Sequence, residues 1–494
     1  MQSRLRWLFF FITILSVASM AARVPLDTDM WWHIRAGEVS LSTHQPLVMD
    51  TFSYTRAGQA WVNHSWLAQI LLAFLYQKLS FYGLMFYVVL LSMLTFGLLF
   101  FLLEGHPFVK AMLIIFGSAV VSTIWSPRPQ LFTLFFLCLL VFVVTRFREG
   151  KVRRLWWIPL LFTLWGNLHG GYFTGILFLG FTLMGMLYDR VFDPGSIASF
   201  KEKFWHLLIV TLLSIPALLI NPNGIQILKV PFATVGVSIL RDFIDEWASP
   251  DFHQPLQLIF LAIFLGTMFL MAINKNRKSA AVLIPLFGFS LLAFYAKRNI
   301  APLMIVLLPA LAVELNVWLN ALRISDRISD LLVQPEYHWR LRDENPLPMR
   351  ILNLLLIFMI GLIAVGKFVY VSDPVVVNAY LKQDTPVEAY QKMGGLAFTG
   401  NVLNEYEWGG YQIEFYPQNQ VFVDGRTDLF GDEGIGQWMR LMRADGDFAK
   451  ILDSNKINVV LLKPERMLVQ VLKTMGWTEE YADQTAVLLM RPAQ

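Results

Sequence analysis

Apolar runs long enough to cross a bilayer recur from residue 7 to residue 371, LQLIFLAIFLGTMFLMAI (256–273) among them. Crossing ~30 Å of hydrocarbon takes about 18–20 helical residues, and backbone groups in that medium must pair within their own segment, so such runs are helices rather than barrel strands. With 56% hydrophobic and only 15% charged residues, the 494-residue chain has too little polar surface to coat a soluble globule. It reads as a polytopic α-helical membrane protein. The single cysteine, Cys138, lies inside an apolar run, which excludes a disulfide framework and a cysteine metal site. Nothing in the chain resembles a nucleic-acid module.

Arg4, Arg6, the apolar stretch behind them and ASMAA (18–22) fit either a cleaved secretory signal or an uncleaved first helix over residues 7–24. The uncleaved helix is preferred, because it anchors the following DTD (27–29) at a defined height above the bilayer. Residues 65–80 (SWLAQILLAFLYQKLS) form the one ambiguous segment. At about 22 Å of helix they are shorter than the hydrocarbon core, and their polar residues gather toward one face, so they are expected to lie at the interface.

With that segment flat, the spans fall near 7–24, 83–103, 108–125, 130–146, 155–168, 171–190, 205–221, 255–273, 279–296, 300–318 and 350–371, eleven in all. RFREGKVRR (146–154), Lys201 and Lys203, NKNRKS (274–279) and the segment 319–349 then share the cytoplasmic side, as the positive-inside rule demands. ISDRISDLL (324–332) in the last of these is expected to be an amphipathic helix. The same assignment collects another set of polar residues on the outer side: Asp27, Asp29, His33, His64, Arg128, Asn167, His169, Asn221, Asn223, Glu246, Arg298 and Asn299. Charged groups at membrane level cost a few kcal/mol each unless paired or facing a wet cavity, so this gathering points to a polar chamber that opens outward.

Residues 372–494 change composition and alternate helix-like and strand-like stretches, which suggests a small extracytoplasmic α/β domain. Its expected strands are QVFVDG (420–425), INVVLLK (457–463) and TAVLLMR (485–491), and its expected helices start at Pro386 and run through GQWMRLMRA and RMLVQVLKTM. Asp424 and Arg426 read as a turn network that docks this domain.

In an extended D-x-D, Asp27 and Asp29 point the same way and could share a divalent cation such as Mg²⁺ or Mn²⁺, or divide the roles of base and ligand. A plainer reading has Asp29 cap the helix that begins MWWHIRAGE, with Trp31 and Trp32 as interfacial anchors.

DTDMWWH (27–33), PLVMDTFSYT (46–55), the G-x-x-W ending at Trp61 and the H-x-W-L starting at His64 together resemble the first outer loop of a bacterial branch of the GT-C glycosyltransferases. These are polytopic enzymes that take sugars from polyprenyl-phosphate carriers. The likeness continues through RPQLF, WGNLHGG, NPNG, EW-x-SP, RN-x-A-P, EYEWGGY and VFVDGR. It implies a GT-C-like domain over 1–371, with a first outer loop at 25–82, and inverting transfer at the outer face of a bacterial cytoplasmic membrane. The donor would be a polyprenyl-phosphate sugar, the surroundings membrane lipids, and the acceptor a glycan, lipid or protein. It also implies that Asp27 or Asp29 is the base that takes the acceptor's proton, or the group that orients the acceptor. The departing phosphate needs positive charge, for which Arg128 and Arg298 are the best candidates. His33, His64, Asn167, His169 and Glu246 are candidate substrate contacts, and Asp27 and Asp29 are candidate metal ligands. The chain departs from the oligosaccharyltransferase pattern in lacking W-W-D-x-G and a second acidic motif, so peptide-asparagine transfer is disfavoured. The alternatives are a ligase or polymerase acting on lipid-pyrophosphate glycans, and a non-catalytic lipid-glycan binding or transport protein.

Overall fold

The computed structural model describes residues 2–192, 200–236, 244–322 and 346–492. The amphipathic helix expected at 324–332 lies outside the described residues, as do Arg327, Arg340 and Arg342. Eight helices form the first half of the chain: α1 (Gln2–Ala21), α2 (Met30–Thr43), α3 (Trp66–Leu102), α4 (Pro107–Val121), α5 (Gln130–Arg148), α6 (Ile158–Leu168), α7 (Tyr172–Phe192) and α8 (Phe200–Ala217). After a short α9 (Val230–Val235) come α10 (Pro255–Ile273), α11 (Ala280–Tyr295), α12 (Ile300–Ala321) and α13 (Pro346–Ser372). All eleven expected runs fall on helices, but they are unequal. Among the described residues seven helices are long and apolar enough to cross a membrane, whereas the apolar parts of α1, α6 and α11 are shorter. The 11 residues of α6 rise only about 16 Å, because the helix gives way at His169, whose backbone is extended. The protein is an integral membrane protein with multiple spanning helices. α12 is the most enclosed of them, while α10 and α13 stand at the periphery.

α3 is two helices joined at Ser80, whose φ of 52° and ψ of −139° leave the helical region. In a continuous helix residues 75 and 83 would stand about 12 Å apart. Here a Cβ on Gly83 would lie 2.3 Å from the Leu75 carbonyl oxygen, so the chain bends sharply and tolerates no side chain there. α2 packs along the first limb of α3 just as tightly: a Cβ on Gly37 would lie 2.1 Å from the Gln69 carbonyl oxygen. Gly37→Ala is therefore expected to force α2 off α3 at about 1–3 kcal/mol, read as a lowered thermal midpoint in detergent.

The helix ends sort into two sets. Basic loop residues meet at one end, where Arg146 donates to the Phe101 carbonyl at 2.8 Å, Arg148 to Ser279 Oγ at 2.8 Å and Lys203 to the Arg148 carbonyl at 2.8 Å. Asp189 caps α11 there by accepting from Ser279 Oγ at 2.6 Å and the Ala280 N–H at 2.8 Å. At the opposite end lie the D-x-D turn and the residues that gather around Arg128.

The C-terminal region adds α14 (Pro374–Asp384), α15 (Val387–Gly394), α16 (Gly409–Phe415), α17 (Thr427–Arg443), α18 (Phe448–Ser454) and α19 (Met467–Thr474). They surround a sheet of β1 (Asn401–Asn404), β2 (Ile457–Leu462), β3 (Thr478–Ala482) and β4 (Val487–Met490) in the order β1-β2-β4-β3. β1 and β2 are parallel, and the other two pairings are antiparallel. The expected strands at 457–463 and 485–491 are present as β2 and β4. QVFVDG is not part of the sheet. Its backbone is claimed by the loop after α2: the Val421 N–H donates to the Phe52 carbonyl at 3.0 Å, and the Tyr54 N–H donates to the Val421 carbonyl at 3.2 Å. The apolar alternation that suggests a strand is real, but the pairing edge belongs to the loop after α2.

Arg426 fastens that junction. Its buried guanidinium binds Asp50 at 2.6 Å and Asp424 through two bonds of 2.8 and 2.7 Å, with the rings of Phe52 and Trp61 at 5.1 and 5.0 Å. Asp50 also accepts from the backbone of Phe52 and Ser53, while Tyr54 and Thr55 donate to the carbonyls of Val402 and Phe422. PLVMDTFSYT and VFVDGR are thus two halves of one clamp.

Candidate active site

The D-x-D turn is compact. Asp29 is already helical (φ −82°, ψ −23°) at the start of α2, and its own N–H donates to Asp27 Oδ1 at 2.9 Å. The extended backbone expected for these residues is therefore absent at Asp29. The plain capping role is absent too, since the Asp29 side chain accepts from no backbone N–H in the first turn of α2. It accepts from Trp32 Nε1 at 3.1 Å with one oxygen and from Arg128 Nη1 at 3.0 Å with the other.

Arg128 gathers the acids. It sits between Pro127 and Pro129 at the head of α5, where its carbonyl takes the Tyr87 hydroxyl at 2.9 Å. Nε lies 3.7 Å from Asp27, and Nη2 lies 3.0 Å from Glu246 and 2.5 Å from Gln130 Oε1. Gln130 is braced in turn on the Ile124 carbonyl at 2.9 Å. Glu246 arrives from DEWASP, which is stitched to the turn before α12: Lys297 pairs with Asp245, and the Lys297 N–H donates to the Ala248 carbonyl at 2.9 Å. Arg298 stacks on Trp247 at 4.5 Å. Among the described residues its guanidinium has no hydrogen-bonded or ion-paired partner, so it is the uncommitted cation beside the cluster.

The acids differ electrostatically. Burial pushes the Asp29 carboxyl up to about 7; Asp27 and Glu246 add to the rise, and Arg128 and the Trp32 bond oppose it. Burial works the same way on Glu246, yet Arg128 and Arg298 outweigh it and hold that carboxyl below its usual range. Asp29 can thus exchange a proton near neutrality, and 24% of its side chain is exposed. Carboxylates whose environments drive their pKa values apart are the arrangement from which acid and base roles are made.

A second cluster lies at the same end. His64 Nδ1 is 2.8 Å from Ser65 Oγ and accepts from the Gly170 N–H at 3.1 Å, while His169 Nδ1 is 2.7 Å from Thr133 Oγ1. The two imidazole rings are 5.8 Å apart. Asn167 is fully engaged, accepting from Trp66 Nε1 at 2.7 Å and donating to the carbonyls of Thr163 and Ile220. Asn221 bonds to Asn167 at 3.1 Å, and Asn223 reaches the Asn63 carbonyl at 3.2 Å. His33 is buried against Gln69 at 3.3 Å. These residues tie α2, α3, α6 and the NPNG turn together, and an apolar groove of about 460 Å³ runs beside them between Trp66, Leu160, Leu164 and Ile220.

The C-terminal domain touches the acidic cluster through glycines. A Cβ on Gly410 would lie 2.3 Å from the Thr28 carbonyl oxygen, and one on Gly425 would lie 1.8 Å from Asp29 Oδ1 and 3.1 Å from Trp32 Nε1. Tyr406 stands within electrostatic reach of Asp29. Gln130, Gly410 and Gly425 carry no role in a reading of the sequence, and Trp32 reads there only as an interfacial anchor. The signal that could have found the glycines is their position in EYEWGGY and VFVDGR, where missing side chains amid bulky neighbours mark a close backbone approach. Gly425→Ala is expected to displace Asp29 from Arg128 and lower any turnover about 10²-fold with little change in the thermal midpoint, measured side by side on the purified variant.

A divalent ion does not fit this cluster as it stands. Such an ion needs its oxygen ligands about 2.0–2.6 Å from one point. Asp27, Asp29 and Glu246 instead face three separate nitrogens of the Arg128 guanidinium. Among the described residues no group of three His, Cys, Asp or Glu side chains could hold a metal ion.

The fold is that of a polytopic helical membrane protein carrying a small C-terminal mixed α/β region, and its likeness is to the fold of a solved oligosaccharyltransferase. No family model and no curated protein matches the sequence. Among solved structures the chain is similar to the Archaeoglobus fulgidus oligosaccharyltransferase tethered with an acceptor peptide containing the NVT sequon, with a TM-score of 0.54, 11% identity, and coverage of 92% of this chain and 69% of that one. The same enzyme in complex with zinc and sulfate gives a TM-score of 0.52 at 12% identity, covering 92% and 68%. ArnT from Cupriavidus metallidurans bound to undecaprenyl phosphate aligns over 98% of this chain and 97% of its own, with a TM-score of 0.47 and 12% identity.

Proposed function

We propose that this chain moves a sugar from a polyprenyl-phosphate donor to a glycan, lipid or protein acceptor at the outer face of a bacterial cytoplasmic membrane, with inversion at the anomeric carbon. The observation that carries the reading is the convergence of Asp27, Asp29 and Glu246 on Arg128, with the uncommitted Arg298 beside them. Asp29 serves as the base: its carboxylate is reachable, is fixed by Trp32 and Arg128, and exchanges a proton near pH 7. Asp27 holds the turn and helps orient the acceptor hydroxyl. Arg298 takes the phosphate as the glycosidic bond breaks, because a guanidinium stays charged and grips phosphate oxygens through two parallel bonds. Glu246, His33, His64, Asn167 and His169 shape the walls. The apolar groove beside Trp66 suits the carrier's hydrocarbon chain.

In this reading residues 1–371 are the catalytic membrane domain, with residues 65–80 at the interface, and residues 372–494 stand outside as a cover whose glycines close one wall. The test is transfer from a panel of labelled polyprenyl-phosphate sugars by protein in nanodiscs, with Asp29→Asn and Arg298→Ala alongside. Transfer or donor hydrolysis that falls by roughly 10²–10⁴-fold in Asp29→Asn and by roughly 10²–10³-fold in Arg298→Ala supports the reading. Binding of pyrophosphate-linked glycans with no affinity for any monophosphate donor would replace it with a ligase.

A further inference from the structure

We propose that Arg128 is a built-in cation occupying the place that a divalent ion would take among Asp27, Asp29 and Glu246, so that the acidic cluster of this chain is organised without metal. The claim deepens the glycosyltransferase reading, but its evidence is the geometry of the cluster. Three carboxylates brought together from the D-x-D turn and DEWASP would repel one another strongly in a partly enclosed site. Nature compensates such a group either with a divalent ion or with protein charge. Here each carboxylate faces a different nitrogen of one guanidinium, at 3.7, 3.0 and 3.0 Å. The planar fork separates the oxygens along its edges, whereas an ion would draw them to a point.

The arginine is also held in that position independently of the acids. Pro127 and Pro129 flank it, and its own N–H is bonded to the Ser126 carbonyl at 2.7 Å. Gln130 accepts from Nη2 while remaining anchored to Ile124. A surface arginine drawn in by chance would lack this bracing. One consequence concerns the division of labour between the two arginines. Because Arg128 is committed to the acids, the phosphate-facing charge falls to Arg298.

The test is Mn²⁺ titration of the full-length protein in nanodiscs, followed by electron paramagnetic resonance, on wild type, Asp29→Asn, Arg128→Gln and the double variant Arg128→Gln with Asp29→Asn. Wild type is expected to leave Mn²⁺ free up to about 1 mM. Arg128→Gln is expected to gain affinity on the order of a hundredfold, and the double variant is expected to lose that gain. Wild-type binding that vanishes in Asp29→Asn would overturn the proposal, as would an Arg128→Gln protein that folds and gains no Mn²⁺. If Arg128→Gln fails to fold, the wild-type arm alone decides, since free Mn²⁺ supports the proposal and Asp29-dependent binding refutes it. Turnover is not needed for this readout, so a protein that transfers no sugar yet behaves as expected toward Mn²⁺ would sink the functional reading and leave this one standing.

Discussion

Asp29→Asn is expected to lower sugar transfer by roughly 10²–10⁴-fold, the usual contribution of a positioned general base, while the protein still purifies and melts like wild type. The amide keeps the shape of the carboxylate and can still accept from Trp32 Nε1, so α2 keeps its start. What it loses is the ability to take the proton of an attacking hydroxyl. The pH dependence gives a sharper check. Burial raises the Asp29 pKa to about 7, and the deprotonated form is the active base, so wild-type rate should climb as pH rises through 7 and level off above it. The residual activity of Asp29→Asn should show no such rise. Asp27→Asn is expected to cost less, because Asp27 stands 3.7 Å from Arg128 and its main bond is to the Asp29 backbone. A flat wild-type profile between pH 6 and 8 (about one unit either side of that pKa), or equal losses in the two variants, would move the base elsewhere in the cluster.

Arg426→Ala should act on stability rather than on chemistry alone. Arg426 binds Asp50 of the loop after α2 and Asp424 of the C-terminal domain, and all three side chains are closed to solvent. Removing the cation leaves two buried carboxylates with no compensating charge, a change that costs about 3–5 kcal/mol in comparable buried pairs. The expected result is a lowered thermal midpoint and faster proteolysis of the C-terminal domain, with loss of activity following from loss of the wall behind Asp29. Arg426→Lys should rescue little, since an ammonium cannot span both partners as the guanidinium fork does. Unchanged protease resistance in Arg426→Ala would mean that the apolar contacts of Phe52, Trp61 and Val421 suffice to dock the domain.

These two variants separate what the chain makes visible in its order of residues from what it does not. Membrane spans are legible because burial in hydrocarbon acts on every residue of a run, leaving a signal as long as the helix. The sharp bend after residues 65–80 is foreshadowed by the short length and one-sided polarity of that segment, and it falls at Ser80. QVFVDG misleads for the converse reason. Alternation records that a stretch is extended and half-buried, but it carries no record of which partner supplies the hydrogen bonds, and here the partner is the loop around Phe52.

The sequence by itself determined the class of molecule, the division into a helical membrane part and a small mixed domain, and the list of polar residues gathered at one end. Those follow from composition and local periodicity, which act between near neighbours. Only the tertiary structure decided how that list is divided. Arg128 meets Asp29 across 99 positions and Glu246 across 118, Arg426 meets Asp50 across 376, and Gly425 meets Asp29 from the other domain. Opposite charges attract whichever of several candidates they meet, and a glycine admits any close neighbour. Their partners are therefore chosen by where the helices and the clamp hold them.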